Sequence, residues 1–170
     1  MKHKFLLSIA VIFLLFGSTV FAQKQTAALS LRTLDGGTIS ASNLRGQATV
    51  LIIGASWLPL SRDQVKIANK LQSSYEKRGA KVYFVFTDAD TAKSKNYATD
   101  AQIRTFGESN KLTANILRDP TGSSLKVFAI DQIPAFVVLN KEGKTIATFS
   151  GVDEENDLST QIAAKIADLL

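Results

Sequence analysis

The stretch Thr49-Val-Leu-Ile-Ile-Gly-Ala-Ser-Trp-Leu-Pro-Leu-Ser-Arg62 decides the fold. Its first five residues are an unbroken apolar run, the pattern of a strand buried on both faces. Over residues 59–78, Val65, Ala68, Leu71 and Tyr75 recur at three- and four-residue steps, which predicts a helix with one apolar face. Gly79 suits its C-terminal cap. Residues 82–86 repeat the buried-strand pattern. A strand, a helix and a second buried strand imply a parallel pair joined by a right-handed crossover.

Outward from this unit the pattern stays α/β. Residues 28–32 alternate like an edge strand, Asp35-Gly-Gly37 is a turn signal, and residues 38–40 return as a short strand. Residues 43–46 read as one helical turn. A helix is expected over 99–109, with Ile103 and Phe106 inward, then a short strand at 115–117 and a short helix at 124–129. Residues 135–139 and 145–149 are strands joined by a glycine-containing hairpin turn at 141–144. Residues 157–170 form an amphipathic helix, preceded by Asp153, Glu154 and Glu155, where negative charge favours the positive end of the helix dipole. The expected architecture is a three-layer α/β domain with a mixed sheet.

The start of the chain reads differently. A basic Met1-Lys-His-Lys4, an apolar run over 5–16 and small residues ending at Ala22 predict a secretory signal peptide over 1–22 and one domain over 23–170. The run is shorter than the roughly 20 residues that span a bilayer, so no stable membrane anchor is expected after cleavage. The protein is expected to be secreted, in the periplasm. Loss of Lys2 and Lys4 lowers the net charge from +5 to +3. That mild balance, with no aromatic interleaving among Lys66, Lys70, Lys77, Arg78 and Lys81, gives no case for nucleic acid and predicts a solvated basic face. The sequence has no cysteine, and its one histidine is His3. Disulfides, thiol catalysis, thiolate or imidazole metal sites and a Ser-His triad are therefore excluded from the mature chain.

Several segments carry a resemblance. They are residues 54–62, Leu34-Asp-Gly-Gly37, Leu44-Arg-Gly46, Asp119-Pro-Thr-Gly122, and Ile133-Pro-Ala-Phe-Val-Val-Leu-Asn140 followed by Lys141-Glu-Gly-Lys144. Together they resemble the TlpA/ResA branch of the thioredoxin-like superfamily, related to AhpC/TSA proteins, over about residues 28–170. The resemblance implies the thioredoxin-like three-layer fold. In that family a Trp-Cys-Pro-Pro-Cys stretch opens the long helix; the first cysteine attacks a disulfide and the second resolves the mixed disulfide. Here the stretch is Trp57-Leu-Pro-Leu-Ser61, with Leu58 at the attacking position and Ser61 at the resolving one. The superfamily's buried acid falls at Ile52. Exchange needs a thiolate; leucine has no lone pair, and serine needs a base. The resemblance thus implies a redox-inactive relative, with no catalytic residues and no cofactor.

Pro134 resembles the family's cis-proline, beside which relatives pair backbone with an extended substrate strand. Such pairing needs no cysteine. The candidate binding surface is Trp57, Leu58, Pro59, Leu60 and Ser61 with Ile133 and Pro134, and the expected ligand is a protein or an extended peptide. A structural subunit of an envelope complex and an enzyme with non-cysteine chemistry are the alternatives. Ser61-Arg-Asp-Gln64 also fits a capping box, which predicts that the Ser61 hydroxyl bonds a helix amide. Asp88, Asp90 and Asp100 lack the glycine and terminal glutamate of a calcium loop, so strand-end and helix-cap roles are expected.

Overall fold

The computed structural model describes residues 29–152 and 157–170. The expected signal peptide and the acids at 153–155 lie outside the described residues. Seven strands and four helices follow in the order β1 (Ser30–Thr33), β2 (Thr38–Ser40), β3 (Thr49–Gly54), α1 (Ser61–Tyr75), β4 (Lys81–Phe86), α2 (Asp100–Ser109), β5 (Asn115–Arg118), α3 (Ser123–Val127), β6 (Ala135–Leu139), β7 (Thr145–Ser150) and α4 (Leu158–Ala167). One sheet holds all seven strands in the order β2-β1-β5-β4-β3-β6-β7. β3–β4 and β4–β5 are parallel, and the remaining pairs are antiparallel. This is the expected mixed sheet, with the α1 crossover linking its two central strands.

The period-two alternation of each strand divides the core into two layers. Val50, Ile52, Val82, Phe84, Phe86, Phe136 and Val138 face α1, α2 and α4 through Val65, Leu71, Ile103, Ile162 and Ile166. Leu51, Ile53, Val85, Ala135 and Val137 face the other way, against Leu31, Leu44 and the partly buried Leu125 and Phe128 beside α3. Phe84 and Phe86 stack with centroids 4.6 Å apart, and Phe106 meets Phe86 edge-on at 5.4 Å.

Helix boundaries shift from expectation at α1, at α3, at α4 and at the turn expected over 43–46, which is a 3₁₀ turn over Ala41–Leu44. α1 begins at Ser61 rather than Pro59, because the chain first makes turns: Leu58 N–H donates to Ala55 O at 3.1 Å and Ser61 N–H to Leu58 O at 3.0 Å. The first four-residue helical bond is Gln64 N–H to Leu60 O. At its far end α1 passes into a 3₁₀ turn over Glu76–Arg78, and Gly79 closes it at φ 93°, a left-handed conformation that glycine adopts freely. α2 carries a reciprocal cap: Thr99 Oγ1 accepts from Gln102 N–H, and Gln102 Oε1 accepts from Thr99 N–H.

Phe136 is fully buried in β6, between β3 and β7. Phe136→Ala is expected to cost about 3–5 kcal/mol of unfolding free energy, read as a lower urea midpoint with an unchanged slope.

Candidate functional site

The exit of β3 positions the candidate site. Ile53 pairs with Ala135, so the antiparallel register brings the Ile133–Pro134 turn beside Gly54 and Ala55. The Ile133–Pro134 peptide is cis. Pro134 O accepts from Gly151 N–H at 2.8 Å, whereas no hydrogen bond among the described residues engages the backbone of Ile133. All seven residues of the expected surface thus gather at one end of the sheet, but not all reach water. Trp57 is 51% exposed and Leu60 39%; Pro59 is exposed, and Leu58 and Ile133 are half-buried. Ser61 and Pro134 are buried.

Ser61 does not cap α1, which corrects the capping-box expectation. Leu60 is the N-cap residue and no side chain caps the helix. The Ser61 hydroxyl turns inward, accepts from Ala55 N–H at 3.3 Å and donates to Gln64 Oε1 at 3.2 Å. Gln64 is fully buried, and its Nε2 donates to Ile53 O at 3.0 Å and Ala135 O at 3.5 Å. The serine and glutamine together seal the end of β3 against β6. They leave no room at Gly54, where a Cβ would lie 2.3 Å from Gln64 Oε1. The local Ser-x-x-Gln pattern is present, but its polar groups serve the sheet.

The acids resolve into separate roles. Asp88 is buried, and its carboxylate accepts from Ser56 N–H at 2.9 and 3.2 Å and from the Ser56 hydroxyl at 2.5 Å. It therefore ties the turn that carries Trp57 to the end of β4. Asp90 is exposed. Asp100 forms a two-pronged ion pair with Arg32 at 2.5 and 2.9 Å. Its second cation is Arg118, whose Nη1 lies 3.4 Å away. Arg118 is fully buried, and its Nη2 donates to Asp88 O at 3.0 Å and Ala98 O at 2.9 Å, bracing both ends of the loop between β4 and α2. Sequence reasoning missed Arg118, Gln64 and the Asp88–Ser56 link; the one local hint was a charge placed at the end of an apolar strand. Among the described residues, no group of three or more His, Cys, Asp or Glu side chains could hold a metal ion.

A buried strand running into a turn and a long helix, with a cis-proline turn beside it, defines a thioredoxin-like oxidoreductase-type domain. Here it has no thiol at either position of the Trp-x-Pro-x-x turn. The AhpC/TSA family model matches residues 22–148, and the chain belongs to that family. Within it the chain is a TlpA/ResA-type domain lacking both cysteines. It is 28% identical over 120 residues to the thioredoxin-like protein YneN of Bacillus subtilis, covering 71% of this chain and 66% of that relative. It is 22% identical over 125 residues to the thiol-disulfide oxidoreductase ResA of Bacillus thuringiensis, covering 74% of this chain and 67% of ResA. Among solved structures, the exposed lipoprotein thioredoxin of Streptococcus pneumoniae superposes with a TM-score of 0.65 at 21% identity, covering 84% of this chain and all of that one. StoA of Bacillus subtilis gives 0.61 at 24% identity, covering 82% and 96%.

Removing Arg118 would strip two buried carbonyls of their donor. Arg118→Met is expected to lose roughly 2–4 kcal/mol of stability and to speed amide exchange at Ala89 and Ala98 before the rest of the sheet. Acid should weaken the fold at a second point. The hydrogen-bonded Arg32 guanidinium, with Coulombic help from Arg118 and Arg104, holds the Asp100 carboxyl below its ordinary range. Hydroxyl bonds from Ser159 and Thr160 lower Asp157 in the same direction. A lowered folded pKa means the unfolded chain binds the proton first. The stabilisation is therefore complete above about pH 4 and disappears as pH falls through the folded values. In acid titrations followed by circular dichroism, Asp100→Asn should flatten the loss of stability below pH 4.

Proposed function

We propose that this protein is a secreted, periplasmic, redox-inactive thioredoxin-like domain that binds a protein or an extended peptide non-covalently. The proposed surface is the former active-site face: Trp57, Leu58, Pro59, Leu60 and Ser61 with Ile133 and Pro134. The observation that carries this reading is the pairing of exposed Trp57 and Leu60 with the backbone of Ile133, which no hydrogen bond among the described residues engages. Apolar side chains supply burial, and a free stretch of main chain can accept an added strand. Ser61 and Pro134 contribute from beneath, by holding the turn and the β6 entry in place. Redox inactivity follows from the chemistry of Leu58 and Ser61, neither of which can become a thiolate. The leader-like pattern of residues 1–22 supports export.

Photo-crosslinking in living cells from position 60 tests the surface. A discrete set of attached proteins is expected, with the yield abolished by Leu60→Asp combined with Ile133→Asp in a variant that keeps the native circular dichroism spectrum. Crosslinking unchanged by that folded variant would remove the surface assignment. The purified protein is expected to show no turnover in a thiol-reductase assay.

A further inference from the structure

The large apolar side chains exposed among the described residues are Trp57, Leu60, Tyr97, Ile146 and Leu170. Tyr97 joins Trp57 and Leu60 at one end of the sheet through a continuous set of contacts. Trp57 follows Ser56, Ser56 is bonded to Asp88, and the next residue, Ala89, bridges Tyr97. The loop between β4 and α2 is closed on itself. Ala89 N–H donates to Asn96 O at 2.9 Å, Ala98 N–H to Ala89 O at 3.0 Å, and Ser94 N–H to Thr91 O at 2.9 Å. Arg118 holds Ala98 O from the end of β5, and Asp100, two residues on, pairs with Arg32 of β1. With strands in the order β1-β5-β4-β3-β6, this loop, the Trp57 turn and the Ile133 turn stand side by side along one end of the sheet. The loop brings charge as well as a ring. Lys93 and Lys95 are exposed, and neither forms an ion pair among the described residues. The loop's exposed acid, Asp90, lies within Coulombic reach of Arg32. The exposed Asp131 stands at the other end, two residues before Ile133.

We propose that the binding face extends over the β4–α2 loop and that its partner is an acidic extended segment of another protein. Apolar side chains of that segment cover Trp57, Leu60 and Tyr97, and its carboxylates meet Lys93 and Lys95. This partner chemistry presupposes the Trp57 face proposed above. A segment reaching from Ile133 to Tyr97 crosses three strand spacings of roughly 4.8 Å, which takes about five extended residues. A basic segment would set its own cations against the two lysines. Both lysines are exposed, so their charge contributes more to the choice of partner than to the strength of binding. The loop is already closed by its own hydrogen bonds, so little order is lost when it is covered.

Trp57 is the single tryptophan of the chain, so its emission reports occupancy of this face. The test is a fluorescence titration of the purified protein with two peptides, acetyl-Glu-Asp-Leu-Val-Phe-Asp-Glu-amide and its uncharged counterpart acetyl-Gln-Asn-Leu-Val-Phe-Asn-Gln-amide. Acids at both ends present a carboxylate to the loop in either chain direction. The acidic peptide is expected to bind about fivefold more tightly at low salt. That preference should vanish in the double variant Lys93→Gln, Lys95→Gln and in about 1 M salt. Tyr97→Ala should weaken both peptides equally. All three side chains are exposed, so the fold should survive. Equal binding of the two peptides, a preference that persists in the double variant, or no change in Trp57 emission with either peptide up to ~10 mM would each overturn the acidic-partner assignment. With crosslinking from position 60 intact, those outcomes remove this assignment alone; loss of that crosslinking removes the face on which it rests.

Discussion

β3 has neither a free edge nor a wet face. β4 and β6 pair with its two sides, and all six of its residues are buried between the two core layers. A chain leaving such a strand still carries backbone donors and acceptors into the interior, and each needs a partner. Four distant residues meet that demand. Thr87 donates to Gly54 O through both its N–H and its hydroxyl, Gln64 donates to Ile53 O, Ser61 accepts from Ala55 N–H, and Asp88 accepts from Ser56 N–H. The turn bearing Trp57 is thereby bound to β4, β6 and α1 at once. Its conformation is a consequence of burying β3.

None of those bonds involves sulfur, which explains how the scaffold and the chemistry of its relatives come apart. Where relatives of this type carry a resolving thiol, Ser61 places a hydroxyl of smaller volume and stronger hydrogen-bonding capacity. A buried hydroxyl is tolerated only when it is bonded, and Ala55 and Gln64 supply both an incoming and an outgoing bond. At the other position Leu58 is half-buried and apolar. It can pack but cannot exchange electrons. The face that in relatives would meet a disulfide is retained as geometry, with its reaction centre exchanged for packing and hydrogen bonding.

The strands were legible because their information is local. Continuous apolar runs at 49–53, 82–86 and 135–139 are buried on both faces wherever they sit in the sheet, and they appear as β3, β4 and β6. The resemblance carried the cis-Pro134 turn to the same place. Ser61 was misread because a capping box is a four-residue pattern, and the same four residues can turn their polar groups toward a neighbouring strand. That choice depends on Ile53 and Ala55 at the exit of β3 and on Ala135 of β6, which is 71 residues from Gln64 in the chain but adjacent to it in space. Arg118 and the link from Asp88 to Ser56 were opaque for the same reason. Their partners are main-chain carbonyls and amides on other elements, to which no side-chain spacing points.

Under the proposed reading, a face without a thiol must supply more than its relatives' faces do. A mixed disulfide can hold a partner whose non-covalent affinity is weak; a cysteine-free surface must do all of it by burial and hydrogen bonding. Covering the exposed parts of Trp57 and Leu60 removes on the order of 150 Å² of apolar area, worth about 4 kcal/mol at 25 cal/mol per Å². Association itself costs about 4–15 kcal/mol. The two side chains alone therefore only approach the threshold. Under the proposed reading the difference must come from main-chain pairing at Ile133 and from a partner long enough to cover the surrounding surface. The clamp from Asp88 to Ser56 acts in the same direction. A turn already held in one conformation loses little entropy when it is covered, so more of the modest apolar gain survives as affinity.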